Sequence, residues 1–507
     1  RTFMKSETKE NSFVDRWLNR VERVGNKLPQ PIILFFMLAG LVLVISWFIS
    51  LFGVAVQHPG TGETIKAVNL LSKSGIQKIF TQAVSNFTQF APLGVVLVAM
   101  LGVGVADKSG LITAVLKKLV MGAPDRYITA VVVFAGIMSN LALDAGYVVL
   151  VPLGAIIFAA KNRHPLVGLA AAFAGVSGGF SANLIISALD PLLAGLSTEA
   201  AQLLDKSYTV VPSANWWFMI ASTFLVTIIG TWVTEKIVAP RFGEYHGEHS
   251  EDMEEITTKE ETAMRSALVW TIITVIGIAL LSHLFLRGEN GDLIKTITPF
   301  VNGMVPLIAI FFFIPGLAYG KKAGTIENSD DVASFFDETM SDMGGYIALA
   351  FAAGQFVSYF SWSNLGTILA IKGADFLQAI NFTGLPLILV FILVAALINI
   401  FIGSATAKWA IMAPVFVPML MQLDYSPEFA QMAYRIGDST TNIISPLMPY
   451  FAIIISFAKK YDKNLGIGTL ISTMLPYSVA FFIGWAFLLV IWFVFKLPIG
   501  PGGTLFY

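Results

Sequence analysis

Long apolar runs separated by short polar intervals dominate this chain, and the length of those runs is the first thing to interpret. A helix needs roughly 20 apolar residues to cross the hydrocarbon of a bilayer. Runs of that kind lie near Ile32–Phe52, Phe80–Ala106, Leu166–Leu193, Trp216–Val238, Leu268–Leu286, Phe300–Tyr319, Tyr346–Ile371, Ala430–Phe457 and Leu470–Phe495. They predict about nine transmembrane helices. Two further segments, Tyr127–Ala160 and Leu385–Met421, are apolar but broken midway by Ser, Asn, Asp, Lys, Gly and Pro, and they read as helical hairpins. The first run is too long for a signal-peptide core and lacks a cleavage-type end, so it is expected to be a retained helix.

Orientation follows from Lys and Arg in short loops. Lys5, Lys9, Arg16, Arg20, Arg23 and Lys27 place the N-terminus in the cytoplasm. Threading the spans from there puts Lys117, Lys118 and Arg126, Lys161 and Arg163, Lys321 and Lys322, and Lys459, Lys460 and Lys463 all inside. The bookkeeping closes only if one hairpin enters and leaves from the cytoplasmic side and the other from the external side, which makes both re-entrant. The expected organisation is a cytoplasmic segment 1–29, a first repeat 30–239 with hairpin 127–160, a charged cytoplasmic linker 240–264, a connecting helix and external loop 265–297, a second repeat 298–496 with hairpin 385–421, and an external tail 497–507. Val332–Asp342 reads as a short amphipathic surface helix.

Composition fits this picture and removes competitors. Hydrophobic residues make up 56% of the 507 and charged residues 13%, more apolar surface than a single water-soluble core could hide. A net charge of -1 gives no basic surface for nucleic acid. The absence of Cys excludes disulfides, thiolate metal sites and cysteine nucleophiles. No His-Glu-x-x-His and no nucleophile with a neighbouring His is present, which argues against an enzyme. The stretch Gly102–Ser109 lacks the Gly that a phosphate loop sets before its Lys, which argues against an ATP-driven pump. An ion channel is the rival from another class, but the polar positions cluster at two breaks instead of lining a continuous path.

The halves on either side of the linker resemble each other. Gly178-Gly179-Phe180-Ser181-Ala182-Asn183-Leu184-Ile185-Ile186 is similar to Gly437-Asp438-Ser439-Thr440-Thr441-Asn442-Ile443-Ile444-Ser445, and each follows a broken hairpin. Phe87 to Gly94 has a looser counterpart in Phe356 to Gly366. With hairpins of opposed topology the repeats are inverted, the arrangement of secondary transporters, whose broken helices meet near the midplane. Asn140, Asn183, Ser404, Thr441 and Asn442 offer oxygens at these breaks suited to a hard cation such as Na+. The same small polar residues could serve helix packing alone.

Ionisable residues inside apolar segments are costly and point to function. Here they are Asp144, Asp190, Lys408, Arg435 and Asp438. Arg435 and Asp438 are three apart and could pair on one helix face. Arg435 also offers a planar fork to a carboxylate, and Trp409 a surface to an aromatic ring. An aromatic acid would use both. Asp190 and Asp144 are candidates for protonation or cation binding, and Lys408 could instead neutralise a nearby carboxylate.

Taken together, Phe90-Ala91-Pro92-Leu93-Gly94, Ala174 to Leu184, Asp190-Pro191-Leu192-Leu193-Ala194-Gly195, Gly403-Ser404-Ala405-Thr406-Ala407-Lys408-Trp409, Ala413 to Met419, Tyr434 to Ser439 and Leu497 to Gly502 resemble the p-aminobenzoyl-glutamate transporter family, from about Val21 to the C-terminus. The likeness is strongest to members that export p-aminobenzoate-type and sulfonamide antimetabolites. It implies an all-α polytopic protein of the bacterial inner membrane, a bowl-shaped homodimer with a periplasmic C-terminus, no cofactor, and transport driven by Na+ or H+. It further implies that Asp190, Asn399, Trp409, Pro427, Arg435 and Asp438 serve transport, with Thr406 standing where relatives have Ser. Lys408 adds a positive charge beside Trp409 that leaves the coupling ion open. The uptake of p-aminobenzoyl-glutamate by the same site is the alternative within transport.

Overall fold

The computed structural model describes residues 29–507 except 58–61, 113, 116–117, 119–123, 143–144, 185–188, 203, 206, 212, 247–255, 289–298, 301–302, 366–367, 369–371, 373–374, 377–378, 382–383 and 404; before residue 29 it describes only 16, 20 and 27. Asp144 and Ser404 therefore lie outside the described residues, as does the side chain of Thr406.

The protein is mostly helical. Helix α1 (Pro31–Leu51) is followed by a small antiparallel pair, β1 (Ala55–Gln57) and β2 (Thr64–Lys66), and then by α2 (Lys73–Thr88) and α3 (Ala91–Lys108). Next come α4 (Ile128–Met138), α5 (Ala145–Ala160), α6 (Pro165–Phe173), α7 (Leu189–Ala201) and α8 (Trp216–Val233). The remaining helices are α9 (Thr258–Leu284), α10 (Met304–Ala323), α11 (Ser329–Asp342), α12 (Gly344–Trp362), α13 (Leu385–Phe401), α14 (Ala405–Gln422), α15 (Pro427–Thr440), α16 (Phe451–Ala458) and α17 (Ile467–Val494). Among the described residues, Ile32–Leu51, Trp216–Phe242, Thr258–Leu284 and Ile467–Val494 are single helices long and apolar enough to cross a membrane.

Other apolar runs are interrupted, each for a local reason. Phe80–Ala106, expected as one span, splits because Phe90 takes extended angles and Pro92, which has no N–H, opens the new helix α3. Leu166–Leu193 starts as α6, widens into a π turn at Ala174–Gly178 where Gly and Ser are frequent, and resumes as α7. Ala430–Phe457 divides between α15 and α16, with Pro446 and Pro449 in the interval. The expected linker is shorter than 240–264. Helix α8 runs on through a π turn (Thr234–Val238) to Phe242, and α9 already starts at Thr258, where the Thr257 hydroxyl accepts from Glu260 N. The amphipathic helix α11 begins earlier than expected, at Ser329, because Asn328 and Asp331 form a capping box.

The apolar segments 127–160 and 385–421 are each interrupted midway. The α4–α5 pair is joined through a 3-10 turn at Ser139–Ala142, and the α13–α14 pair is interrupted at Ile402–Gly403. Buried apolar side chains gather in one large cluster contributed mainly by α4–α8 and α13–α17. Smaller clusters join α1, α3 and α12, and α3, α9 and α10. Packing follows the same division, with α10 against both α9 and α3, α12 against α1, α5 against α6, α13 against α15 and α14 against α7. Some of these contacts are backbone to backbone: a Cβ added at Gly168 of α6 would lie 2.1 Å from Gly154 O of α5. Helix α9 buries only Ala263, Met264, Ala267 and Thr274 and leaves Leu268, Trp270, Ile273, Ile276 and Leu280 exposed, as a lipid-facing helix does.

After α17 the chain folds back on itself. Ile499 and Leu505 are buried, Ile499 O accepts from Phe218 N at the start of α8, and Pro501 O accepts from the Ser213 hydroxyl. Further along, Leu505 O accepts from Ser426 N, Thr504 O accepts from the Ser426 hydroxyl, and Tyr507 N donates to Asp424 O.

Candidate functional site

The two interrupted stretches that resemble each other in sequence meet in the fold. Ser181 N donates to Ser439 Oγ at 3.1 Å, and Asn442 Nδ2 donates to Ser177 O at 3.2 Å. Unwound backbone at membrane depth needs protein partners for its carbonyls, and in each half asparagines supply them. Asn140 Nδ2 donates to Val176 O at 2.9 Å, and Asn183 Nδ2 to Ile137 O at 3.3 Å. In the second half, Asn399 Nδ2 reaches Asp438 O at 2.6 Å, Asn442 Oδ1 at 2.7 Å and Thr441 Oγ1 at 3.0 Å, while Thr441 Oγ1 donates to Ala396 O at 2.7 Å. The described cation candidates are thus brought to two breaks that touch, each engaged with backbone or a neighbouring amide.

Two ion pairs lie inside. Arg435 and Asp438 do not pair with each other as their spacing allows; each reaches across to another helix. Arg435 Nη1 of α15 meets Asp190 Oδ1 at the start of α7 at 2.5 Å, with both side chains 1% exposed. Asp438 Oδ1 meets Lys408 Nζ of α14 at 2.5 Å, with side-chain exposures of 2% and 0%. A buried ion pair is weak evidence for stability, because desolvation offsets most of the attraction. Its presence in a membrane-embedded core points to function instead. Arg435 is only partly used: its Nε and Nη2 are buried without a hydrogen-bond partner, as are Ser181 Oγ, Thr440 Oγ1 and Asn140 Oδ1. Native interiors rarely leave such groups unmet, and a guanidinium edge with two open N–H groups matches a carboxylate.

Trp409, next in the chain to Lys408, is fully buried, with its ring stacked on Tyr434 at 4.4 Å between centroids and 19° between planes. Its Nε1 donates to Ser197 Oγ at 2.9 Å, Ser197 passes a bond to Gln431 Oε1 at 2.7 Å, and Gln431 Nε2 donates to Asn215 Oδ1 at 2.8 Å. Pro427 opens α15, whose first turn is capped by the Ser426 hydroxyl accepting from Phe429 N at 3.1 Å. Tyr434, Ser197, Gln431 and Asn215 were not singled out by sequence. Gln431 could have been, since it precedes Arg435 by one helical turn. The others come from distant segments and left no signal.

Charged side chains buried between two interrupted helices, in a mostly helical membrane protein, are the construction of a membrane transporter. The chain belongs to the AbgT putative transporter family, which it matches over residues 16–507. It is similar to the p-aminobenzoyl-glutamate transport protein of Escherichia coli (strain K12), with 38% identity over 488 residues and 95% of each chain covered. Among solved structures it is similar to the YdaH transporter of Alcanivorax borkumensis, at 46% identity and a TM-score of 0.56, covering 93% of this chain and 100% of that one. It is also similar to MtrF of Neisseria gonorrhoeae, described with a class of antimetabolite efflux pumps, at 46% identity and a TM-score of 0.54, covering 96% of this chain and 100% of that one.

Proposed function

We propose that this protein is a cation-coupled secondary active transporter of the bacterial inner membrane that exports aromatic carboxylates of the folate pathway, p-aminobenzoate-type and sulfonamide antimetabolites among them. The observation that carries the reading is the open edge of Arg435, whose Nε and Nη2 are buried without partners while Nη1 is held by Asp190. A carboxylate or a sulfonamide anion accepts from that edge, and the Trp409–Tyr434 stack beside it is the aromatic wall. The likeness to MtrF supports export. The likeness to the Escherichia coli p-aminobenzoyl-glutamate transport protein supports p-aminobenzoyl-glutamate as a substrate of the same site, and its uptake is the alternative reading, since a fork and a ring surface do not encode direction.

In this reading the chain has about nine spans and two re-entrant hairpins in an inverted repeat, with the N-terminus cytoplasmic, the tail 497–507 periplasmic, and two protomers forming a homodimer. The large apolar cluster with both hairpins is the moving unit, and the clusters of α1, α3, α9, α10 and α12 belong to the scaffold. Asn140, Asn183, Thr441 and Asn442 hold the breaks in shape around the transported species. Asp144, Ser404 and Thr406 are assigned to the same site by their place in the two hairpins.

The test is flux of radiolabelled p-aminobenzoate and a sulfonamide in proteoliposomes, loaded inside or supplied outside, with Na+ and pH gradients imposed separately. Wild type should follow one gradient, and Arg435→Ala and Asp190→Ala should abolish the coupled flux. Flux that ignores both gradients, or survives both substitutions, overturns the assignment.

A further inference from the structure

Hydroxyls within a membrane helix ordinarily close onto the carbonyl four residues back. Helix α8 follows this throughout: Ser222, Thr223, Thr227 and Thr231 each donate to that carbonyl, at between 2.6 and 2.9 Å. Two buried hydroxyls depart from the pattern. Ser181 Oγ and Thr440 Oγ1 have no hydrogen-bond partner, although both residues are fully buried. They stand at the same position of the two similar stretches: Gly178 to Asn183 aligns with Gly437 to Asn442, and the fourth residue is Ser181 in one and Thr440 in the other. The fold brings the two positions together, since Ser181 N donates to the Oγ of Ser439, the neighbour of Thr440. The backbone at Thr440 is fixed by α17, where Ser478 Oγ donates to Thr440 O at 2.6 Å. A third open oxygen, Asn140 Oδ1, belongs to the first break as well, its Nδ2 being spent on Val176 O and Gly179 O at 2.9 and 3.4 Å. An amide oxygen can only accept, so what this place lacks is donors.

Arg435 lies one helical turn before Ser439, about 6 Å along α15 and on the same face. Its Nε and Nη2 are open donors, and the oxygens beyond it are open acceptors. A ligand that satisfies both accepts at one end and donates at the other. We propose that Ser181 and Thr440 form an amine subsite, which accepts the N–H groups of an amino group placed across the ring from the acid that Arg435 holds. p-Aminobenzoate and the sulfonamides share the 4-aminophenyl unit and differ in the acid, so these two hydroxyls read what the two classes have in common. An analogue without the N–H groups leaves the hydroxyls buried and unmet, which costs affinity even where its shape fits. The inference rests on the transporter reading above and names the feature of the substrate that its site selects.

The test compares equilibrium binding of p-aminobenzoate, 4-hydroxybenzoate and 4-methylbenzoate to the purified protein by titration calorimetry. The three ligands share the acid and the ring and carry two, one and no hydrogen-bond donors opposite the acid. Wild type should prefer p-aminobenzoate to 4-methylbenzoate by about tenfold or more in Kd, with 4-hydroxybenzoate between them. In Ser181→Ala and in Thr440→Val the ratio should shrink, and in the double variant it should fall to about one, the loss falling on p-aminobenzoate. Thr440→Ser, which keeps a hydroxyl, should discriminate better than Thr440→Val. A ratio of affinities is read, so a general loosening of the breaks would not produce this result. Wild type that binds all three acids equally overturns the subsite, as does a double variant that still discriminates, and both leave the Arg435 reading standing. Wild type that binds none of the three overturns the Arg435 reading and the subsite together. Should the variants fail to fold, the wild-type series decides the matter alone.

Discussion

Replacing Arg435 by Met is the perturbation that separates holding the fold from gripping a substrate. It removes the guanidinium from a carboxylate that is 1% exposed and 2.5 Å away. Removing one partner of a buried ion pair costs about 3–5 kcal/mol, because the remaining charge keeps its desolvation penalty. At about 1.4 kcal/mol per factor of ten, the balance between folded and unfolded protein moves by about two to three and a half orders of magnitude. Adding Asp190→Leu removes that charge, and replacing both ends of a buried pair with apolar groups is close to neutral. The single variant should therefore melt well below wild type in detergent, and the double variant should regain most of the loss. Neither should transport p-aminobenzoate. Arg435→Lys supplies a third point: it keeps the charge for Asp190 but not the planar edge formed by Nε and Nη2, so it should fold better than Arg435→Met and still fail in flux. The reasoning is refuted if Arg435→Met melts with wild type, which would mean that the pair holds nothing, or if Arg435→Lys or the double variant transports at the wild-type rate.

Two further outcomes follow from packing and protonation. Gly168→Ala places a Cβ 2.1 Å from Gly154 O, a backbone atom that cannot turn aside, and should destabilise the α5–α6 contact by about 1–3 kcal/mol in thermal melts, whereas Gly195→Ala, with open space around it, should cost nothing. His164 lies in the connection before α6, and its Nδ1 accepts from Leu166 N at 3.2 Å. Burial lowers its pKa from 6.5 to about 4, against a smaller opposing pull from Asp462. The unfolded chain then binds the extra proton first, so stability is unaffected above about pH 6.5, falls as the pH drops through the window down to about 4, and levels off below it. Melting temperatures of wild type should slope across that window, and those of His164→Asn should slope less.

How far the sequence carries the structure can be read from particular residues. Apolar runs of spanning length located most helices because the bilayer rewards length and apolarity directly. The breaks were legible because Gly, Ser, Asn and Pro inside such runs have few other uses, and the two similar nine-residue stretches do meet through Ser181 and Ser439. The interruption at Gln89–Phe90 was hidden, since Pro92 is tolerated in many spans and only the tertiary setting decides whether it ends one. Individual charges could be flagged but not paired. Spacing alone allowed Arg435 with Asp438, while the partners come from α7 and α14. Pairing across helices depends on rotation and depth, which a linear pattern does not contain. The Tyr434 ring against Trp409 was missed for the same reason.

The folded-back tail has a kinematic consequence. One hydroxyl, that of Ser426, both caps the first turn of α15 by accepting from Phe429 N and donates to Thr504 O, while a few residues earlier Ile499 O accepts from Phe218 N at the start of α8. The helix that carries Arg435 and Asp438 is therefore fastened to α8 by a short tie that spans the gap between their ends. Any rocking of α15 must carry α8 with it or break the tie, so the two helix ends are bound to move together.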